Sequence, residues 1–525
     1  MSQLLPFSQR TDIRVLGSIL VIGAVFVSRA VKNAWKARKL PPGPMGVPLL
    51  GNLLQLLGDK PWNVFDDLHR KYGDIVHLDL AGEHWVIISN HKIACDLLDR
   101  RASIYSDRAR SIVAGELLCG GMIFGFTQHN EIWKRMRRGA HEALNNQKVR
   151  DYFPFQERES VLLISQFLKS PNLAREHFSR AAVSLVISIM YGRPPLLDSH
   201  DPDIVRINEF THRTFQAMVP GAFLVEFLTW MEHLPRWMTP WRRWAEGHFK
   251  QDSKLFERLF GEVKDRVDAG DETSSVAATL IQDQEKLGLS SHEAAWVAAS
   301  LYSAGSDTSA AQMEWFILAM VLFPSVQSRA QSELDRVVGR DRMPTFADYQ
   351  HLPYIRALVK ELLRWRSINP FSIPHRLCQD DWYEGRWLPK DTICVVNIWA
   401  LNRDKAVYGE DADELLPERH LDADGQLPGP FFEDTKDENH HAFGFGRRIC
   451  SGRHVANNSM FMQIACLLWA FDFALAPEAD GKLPSVDDVE DSTGTVRPKS
   501  FPCAITPRHV DVEGIVAQTK ELLGF

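Results

Sequence analysis

The longest strongly apolar helical pattern in the chain covers residues 290–323. A helix that is apolar all round persists only where other elements cover it, so this run predicts a large, α-rich domain built around it. Ser290 and Glu293 stand in capping-box spacing at its start. In its middle lies Ala304-Gly305-Ser306-Asp307-Thr308-Ser309. A glycine and a cluster of polar residues lower helix stability there, and such a local inconsistency points to a functional site. Thr308 is placed to bond a carbonyl one turn back, which loosens the helix ladder and opens a groove. An acid beside a hydroxyl, Asp307 with Thr308, is what proton delivery to a bound oxygen species requires. A polar kink between packed helices is the competing reading of the same residues.

A second stretch, 443–452, reads Phe-Gly-Phe-Gly-Arg-Arg-Ile-Cys-Ser-Gly. Its glycines lead to one cysteine, Cys450, and a helix-forming run follows almost at once. A helix N-terminus favours an anion, so a thiolate at Cys450 is stabilised by its position. Gly446 and Gly452 permit a tight turn and the close approach of a flat group, and Arg448 adds positive charge beside it. Such a loop suits an iron centre with an axial thiolate. On spacing alone, an inert buried cysteine in a turn fits equally well.

The 7 cysteines form no C-x-x-C pair and are odd in number, which argues against a zinc site or disulfide framework and fits a reducing compartment. With a net charge of −7 there is no case for a nucleic-acid binder. At 525 residues the chain can bury a large core.

Residues 15–27 are an unbroken apolar and small-residue run, short for a spanning helix until Ala30, Val31 and Ala34 extend it. Lys36, Arg38 and Lys39 follow, and positive charge on that side keeps it cytosolic. The expected organisation is an anchor with basic stop-transfer over 1–39, a proline-rich hinge over 40–48, and one catalytic domain over 49–525. Helix is expected over 62–72, a hairpin over 75–80 and 85–89, a strand-like piece over 387–397 and a surface loop over 478–491.

Three further patterns bear on chemistry. Glu361 and Arg364 share one helix face, and with Arg419 they can form a buried charge network or, taken alone, a solvated pair. Trp133 and Arg137, one helical turn apart, are an indole N–H and a guanidinium fork suited to carboxylates. Lys134, Arg135 and Arg138 on the same segment make a basic patch that an acidic electron donor would meet.

In this order, the segments resemble the cytochrome P450 family of haem-thiolate monooxygenases. Phe443, Gly446, Arg448, Cys450 and Gly452 match its haem loop, Glu361/Arg364 its Glu-x-x-Arg pair, 304–309 its oxygen-activating helix, and Trp133/Arg137 its Trp-x-x-x-Arg helix. Each motif alone is weak to moderate, whereas all of them in order are very specific. The anchor and hinge resemble the microsomal type, and the loop style resembles fungal secondary-metabolism members. Ser309 stands where threonine is common, and His420 replaces the usual phenylalanine after Pro417-Glu418-Arg419, putting the packing there in question.

The resemblance implies a mainly α domain with a small β portion, the P450 fold, preceded by a membrane anchor helix. It implies haem b with Cys450 as the axial iron ligand, and propionates bound by Trp133, Arg137 and Arg448, with Arg108 and His375 where related enzymes place further donors. Phe443 and Gly446 would shape the haem loop, Asp307 and Thr308 would relay protons, and Glu361, Arg364 and Arg419 would hold the loop. Ala304, Phe371, Ile373 and Phe501 would line the substrate pocket, and the aromatic segment 215–241 would dip into the bilayer or pack as core. The implied reaction inserts one oxygen atom from dioxygen into a lipophilic molecule, with electrons from NADPH through a separate cytochrome P450 reductase, cytochrome b5 being a second donor. The setting is the endoplasmic reticulum membrane with a cytosolic catalytic domain. The rival readings are a haem-thiolate isomerase, dehydratase or peroxygenase that needs no reductase, a haem sensor or carrier, and a helical membrane-tethered scaffold.

Overall fold

A computed structural model describes residues 39–56, 60–197, 201–219, 221–429, 438–477, 481–492 and 495–525. The anchor expected over 1–39 lies outside these residues, Lys39 excepted. Among the described residues no single helix is long and apolar enough to cross a membrane.

The apolar run forms one unbroken helix, Ser291–Leu322, with Ser290 as its N-cap and the Ser290/Glu293 capping box closed. Two hydrophobic clusters wrap it at different levels. Its N-terminal half, through Tyr302, sits among residues of the helices Glu131–Leu144, Ala174–Tyr191 and Pro240–Asp268, with Trp296 edge-on to Phe210 and Phe256. Its C-terminal half, from Ala310, joins a larger cluster with the helices Phe153–Lys169, Pro353–Trp365 and Arg453–Ala470. Neither cluster includes residues 303–309. The polar stretch therefore marks the seam between two cores.

The small β portion is mainly one five-stranded sheet. It contains β1 (Ile75–Leu80), β2 (Glu83–Ile88), β3 (Asp107–Arg108), β4 (His375–Arg376) and, after the short pair β5 (Asp381–Tyr383) and β6 (Arg386–Leu388), β7 (Ile393–Val396), in the order β1-β2-β7-β4-β3. The β1–β2 hairpin turns on Ala81 and Gly82, with φ of 54° and 94°. Positive φ at both central residues matches the twist of the flanking strands. The expected strand over 387–397 is thus parts of two strands, β6 and β7, belonging to different sheets.

Near the C-terminus, β8 (Phe471–Leu475) pairs with β11 (Cys503–Pro507), and β9 (Val489–Ser492) pairs with β10 (Thr495–Pro498). The expected surface loop over 478–491 therefore ends in a strand. Composition misled here, because Glu490 is an acid whose partner, Arg175, lies far away in sequence.

Candidate active site

The cysteine loop closes on itself and on a neighbouring helix. The Cys450 N–H donates to the Phe443 carbonyl at 2.9 Å, and the Gly446 N–H donates to Asp99 Oδ1 at 2.7 Å. Gly446 has a φ of 62°, and a Cβ there would stand 2.1 Å from the Leu98 carbonyl oxygen. The positive φ and that carbonyl each require glycine here, in keeping with the tight turn expected. The helix Arg453–Ala470 starts after Gly452, so Cys450 stands just before its N-terminus.

Cys450 is exposed although protein hems it in: burial pushes its thiol up, while the Gly452 N–H, Arg137 and Arg453 pull the other way. Ala304 is likewise exposed, on a helix whose residues are buried from Glu293 through Ser303 and from Ala310 through Val321. Thr308 Oγ1 donates to the Ala304 carbonyl at 2.7 Å. The bond is the expected one, and the helix runs through it without a break.

Several cationic side chains gather beside Cys450. Arg108 and His375 are register partners across β3 and β4. Arg108 is buried and donates only to the carbonyls of Gly125, Ile373 and Pro374, at 3.0, 2.8 and 3.0 Å. Arg448 donates to the carbonyls of Ser106, Phe124 and Thr127. Arg137 donates to Ser451 Oγ and to the Ile449 carbonyl, binding the cysteine loop itself. The nearby carboxylate of Asp107 is engaged by Arg376 at 2.6 Å and by the His129 N–H at 2.9 Å.

No carboxylate pairs with Arg108, Arg137 or Arg448 among the described residues. Burial first, then repulsion from Arg137, holds Arg108 down at about 9. Burial and Arg108 hold Arg448 at about 8. Arg108 is buried and Arg137 and Arg448 half-buried, and cations taken from water without a counter-charge are costly, so this cluster suits an anion. The fit with a flat dicarboxylate cofactor is good: Trp133, whose indole N–H has no acceptor among the described residues, lies under Arg448 at 4.1 Å from ring centroid to guanidinium. His375 is held neutral, chiefly by burial and then by Arg108. Its Nδ1 is 2.7 Å from the Tyr105 carbonyl, which can only accept, so that nitrogen carries the proton. Neutral His375 then has no donor left for an anion, and it serves as one only as the imidazolium.

The charge network is buried. Arg364 Nη2 and Nε meet Glu361 at 2.7 and 2.8 Å, Arg419 Nε meets Glu361 Oε1 at 3.0 Å, and both Glu361 and Arg364 have no exposed surface. Arg364 also donates to the carbonyls of Asn402, Ala412 and Glu414, tying the helix Pro353–Trp365 to the segment that leads to the cysteine loop. The solvated-pair reading is excluded. His420, whose packing was in question, is buried and bonds Glu361 Oε2 at 2.9 Å, so it is a fourth member.

Other expected residues fall less neatly. Ile373 is exposed and near Arg108, whereas the Phe371 ring packs edge-on against Phe65, which is core packing more than a pocket wall. Phe501 is half-buried against the larger core. The basic patch is smaller than expected, since Arg135 pairs with Glu293 and Lys134 with Glu131. Asn457, which opens the N-glycosylation pattern Asn457-Asn458-Ser459, sits within the helix Arg453–Ala470 with its amide donating to Glu438 Oε2 at 2.9 Å. The sequence reading missed Arg497 and Glu314. Arg497 Nη2 donates to Asp307 Oδ1 at 2.5 Å and its Nη1 to Glu314 Oε1 at 2.9 Å. Glu314 stands two helical turns after Asp307, on one face, a signal that was available.

The family model described as Cytochrome P450 matches residues 41–498. A protein named cytochrome P450 monooxygenase from Armillaria gallica is 48% identical over 98% of both chains. Cytochrome P450 monooxygenase 58 from Postia placenta is 43% identical over 95% of this chain and 94% of its own. A cytochrome P450 monooxygenase from Amanita muscaria is 38% identical over 97% of this chain and 98% of its own.

Proposed function

The chain belongs to the cytochrome P450 family of haem-thiolate monooxygenases, and on that premise we propose that Cys450 ligates its haem b and that it oxidises a lipophilic intermediate of fungal secondary metabolism. The family uses thiolate-ligated haem b, dioxygen, a lipophilic substrate and a redox partner. When bound, the haem activates dioxygen, so that one oxygen atom enters a C–H or C=C bond and the other leaves as water.

The observation that carries this reading is the cluster of buried Arg108 with half-buried Arg137 and Arg448, gathered beside Cys450 without a paired carboxylate. These arginines and Trp133 would hold the two propionates. The Gly452 N–H and the start of the helix Arg453–Ala470 would favour the thiolate over the thiol. Asp307 and Thr308 would pass protons inward from solvent. Glu361, Arg364, Arg419 and His420 would fix the segment bearing the loop. Ala304, Ile373 and Phe501 would bound the substrate space.

The substrate is hydroxylated or epoxidised, and a terpenoid or aromatic compound suits the fungal character of the relatives. Electrons come from NADPH through a separate cytochrome P450 reductase, with cytochrome b5 as a second donor. Residues 1–39 anchor the protein in the endoplasmic reticulum membrane with the catalytic domain cytosolic. The exposed side chains of Leu224, Phe227, Trp230 and Trp237, the last 76% exposed, support a bilayer contact of segment 215–241, as does Met45 in the hinge. Product formation from candidate metabolites in microsomes is the test: it must require both NADPH and reductase. Turnover with peroxide alone at the same rate would favour a peroxygenase.

A further inference from the structure

Both residues of the proposed proton relay are engaged elsewhere in the structure. The Thr308 hydroxyl donates to Ala304 O, and the Asp307 carboxylate accepts from Arg497. The Arg497 side chain is 8% exposed and belongs to β10, all four residues of which are buried. It spans two acids on one face of the helix Ser291–Leu322, reaching Asp307 with Nη2 and Glu314 with Nη1. Glu314 is buried and is gripped from its other side by Arg175, with Nε at 3.0 Å and Nη2 at 2.9 Å from Oε2. Arg175 in turn holds Glu490 and the Pro498 carbonyl. The charges thus alternate as Glu490, Arg175, Glu314, Arg497, Asp307.

The two ends of Arg497 are unequal. Its bond to Glu314 is buried on both sides and braced by Arg175, whereas the Asp307 side chain is 43% exposed. A buried charge pair resists separation, but a half-exposed carboxylate can exchange its partner for water. Asp307 is therefore the releasable end, and Arg497 is the fixed one.

We propose that Arg497, held in place by Glu314, is a positioning residue that clamps Asp307 and sets when that acid delivers protons. The inference rests on Asp307 and Thr308 being the relay. While clamped, the Asp307 carboxylate is committed as acceptor to a charge-assisted hydrogen bond from Arg497. Once released, its carboxylate takes a proton from solvent water and passes it to the Thr308 hydroxyl oxygen. That hydroxyl gives up its own hydrogen inward, and the carboxylate returns to Arg497. Protons that arrive out of step divert dioxygen, two electrons and two protons to hydrogen peroxide.

The test uses the haem-loaded, reductase-coupled protein with the variants Asp307→Asn, Arg497→Gln and Arg497→Lys. The readouts are product per NADPH, peroxide per NADPH, the solvent deuterium isotope effect on product formation, and the thermal midpoint. Asp307→Asn should lower product formation about tenfold or more and enlarge the isotope effect. Arg497→Gln should leave NADPH consumption in place, raise the peroxide share about threefold and shrink the isotope effect, since the clamp no longer paces the proton. A lysine cannot bridge both acids, so Arg497→Lys should give an intermediate result. If Arg497→Gln does not fold or load haem, the lysine variant decides alone, supported by a thermal double-mutant cycle with Asp307→Asn that must be non-additive. No change in Asp307→Asn would overturn the relay reading itself. A slowed Asp307→Asn beside Arg497 variants that keep the wild-type isotope effect and peroxide share would overturn the clamp and leave the relay standing. A lowered thermal midpoint as the only effect would assign Arg497 a structural role and also overturn the clamp.

Discussion

Arg448 lies over Trp133, its guanidinium 4.1 Å from the ring centroid, and so joins the cysteine loop to the helix Glu131–Leu144. Three carbonyls occupy one hydrogen on each of its nitrogens, leaving two of its five N–H groups for a ligand. Both residues were read from sequence as carboxylate donors, and the stack puts them on one seat. A guanidinium on an aromatic face is weakly hydrated and ordered in advance, which suits it to a buried anion.

Removing a cation from this seat should loosen the cofactor. Arg108→Met is expected to speed haem transfer to an excess acceptor protein about tenfold, a loss of roughly 1.4 kcal/mol. The exposed Arg150→Met serves as control. Equal transfer rates in the two variants would mean that Arg108 does not face the propionates.

The two glycines before Cys450 should differ sharply. Gly444 has a φ of 73° but open space around a Cβ, so Gly444→Ala is expected to cost about 1–2 kcal/mol and to keep haem. Gly446→Ala adds a clash with the Leu98 carbonyl to the same backbone strain, and the loop should not hold haem at all. Haem content after purification separates the two outcomes.

The Glu361 network predicts an acid limit. Burial alone would raise this carboxyl, yet Arg364 and His420 together hold it at about 2, against an ordinary value of 4.5. A depressed carboxylate stabilises the fold fully above 4.5, and that contribution is lost as pH falls through about 2. Glu361→Gln should flatten this acid limb of the unfolding profile. Arg364→Ala strands a buried carboxylate and should cost about 3–5 kcal/mol at neutral pH. His420→Phe removes one hydrogen bond and should cost only about 1 kcal/mol.

Among the described residues the Thr308 side chain makes no hydrogen bond beyond its own helix turn. Thr308→Ala should therefore keep the thermal midpoint and haem content while product per NADPH falls and peroxide rises. Unchanged coupling would remove Thr308 from the relay.

Much of the site could be read from sequence because its signals are local. The capping box at Ser290, the glycines of the cysteine loop, and the spacing of Glu361 and Arg364 each depend on neighbours within a few positions. What escaped depends on distance. Gly446 is required by Leu98, and Asp307 is tied to Arg497, 190 positions away. His420 looked like a packing defect because its partner, Glu361, lies 59 positions earlier. The strand at Val489–Ser492 was hidden by acidic composition, since Glu490 finds its cation only in the folded chain.

The central claim is that Cys450, as thiolate, holds the haem iron. The most direct measurement is the absorbance of the reduced protein with carbon monoxide, for wild type and Cys450→Ala. Thiolate ligation predicts a strongly red-shifted Soret band in the wild type that is absent in the variant. A well-folded, haem-loaded wild type without that band, or a variant that keeps it, would contradict the account.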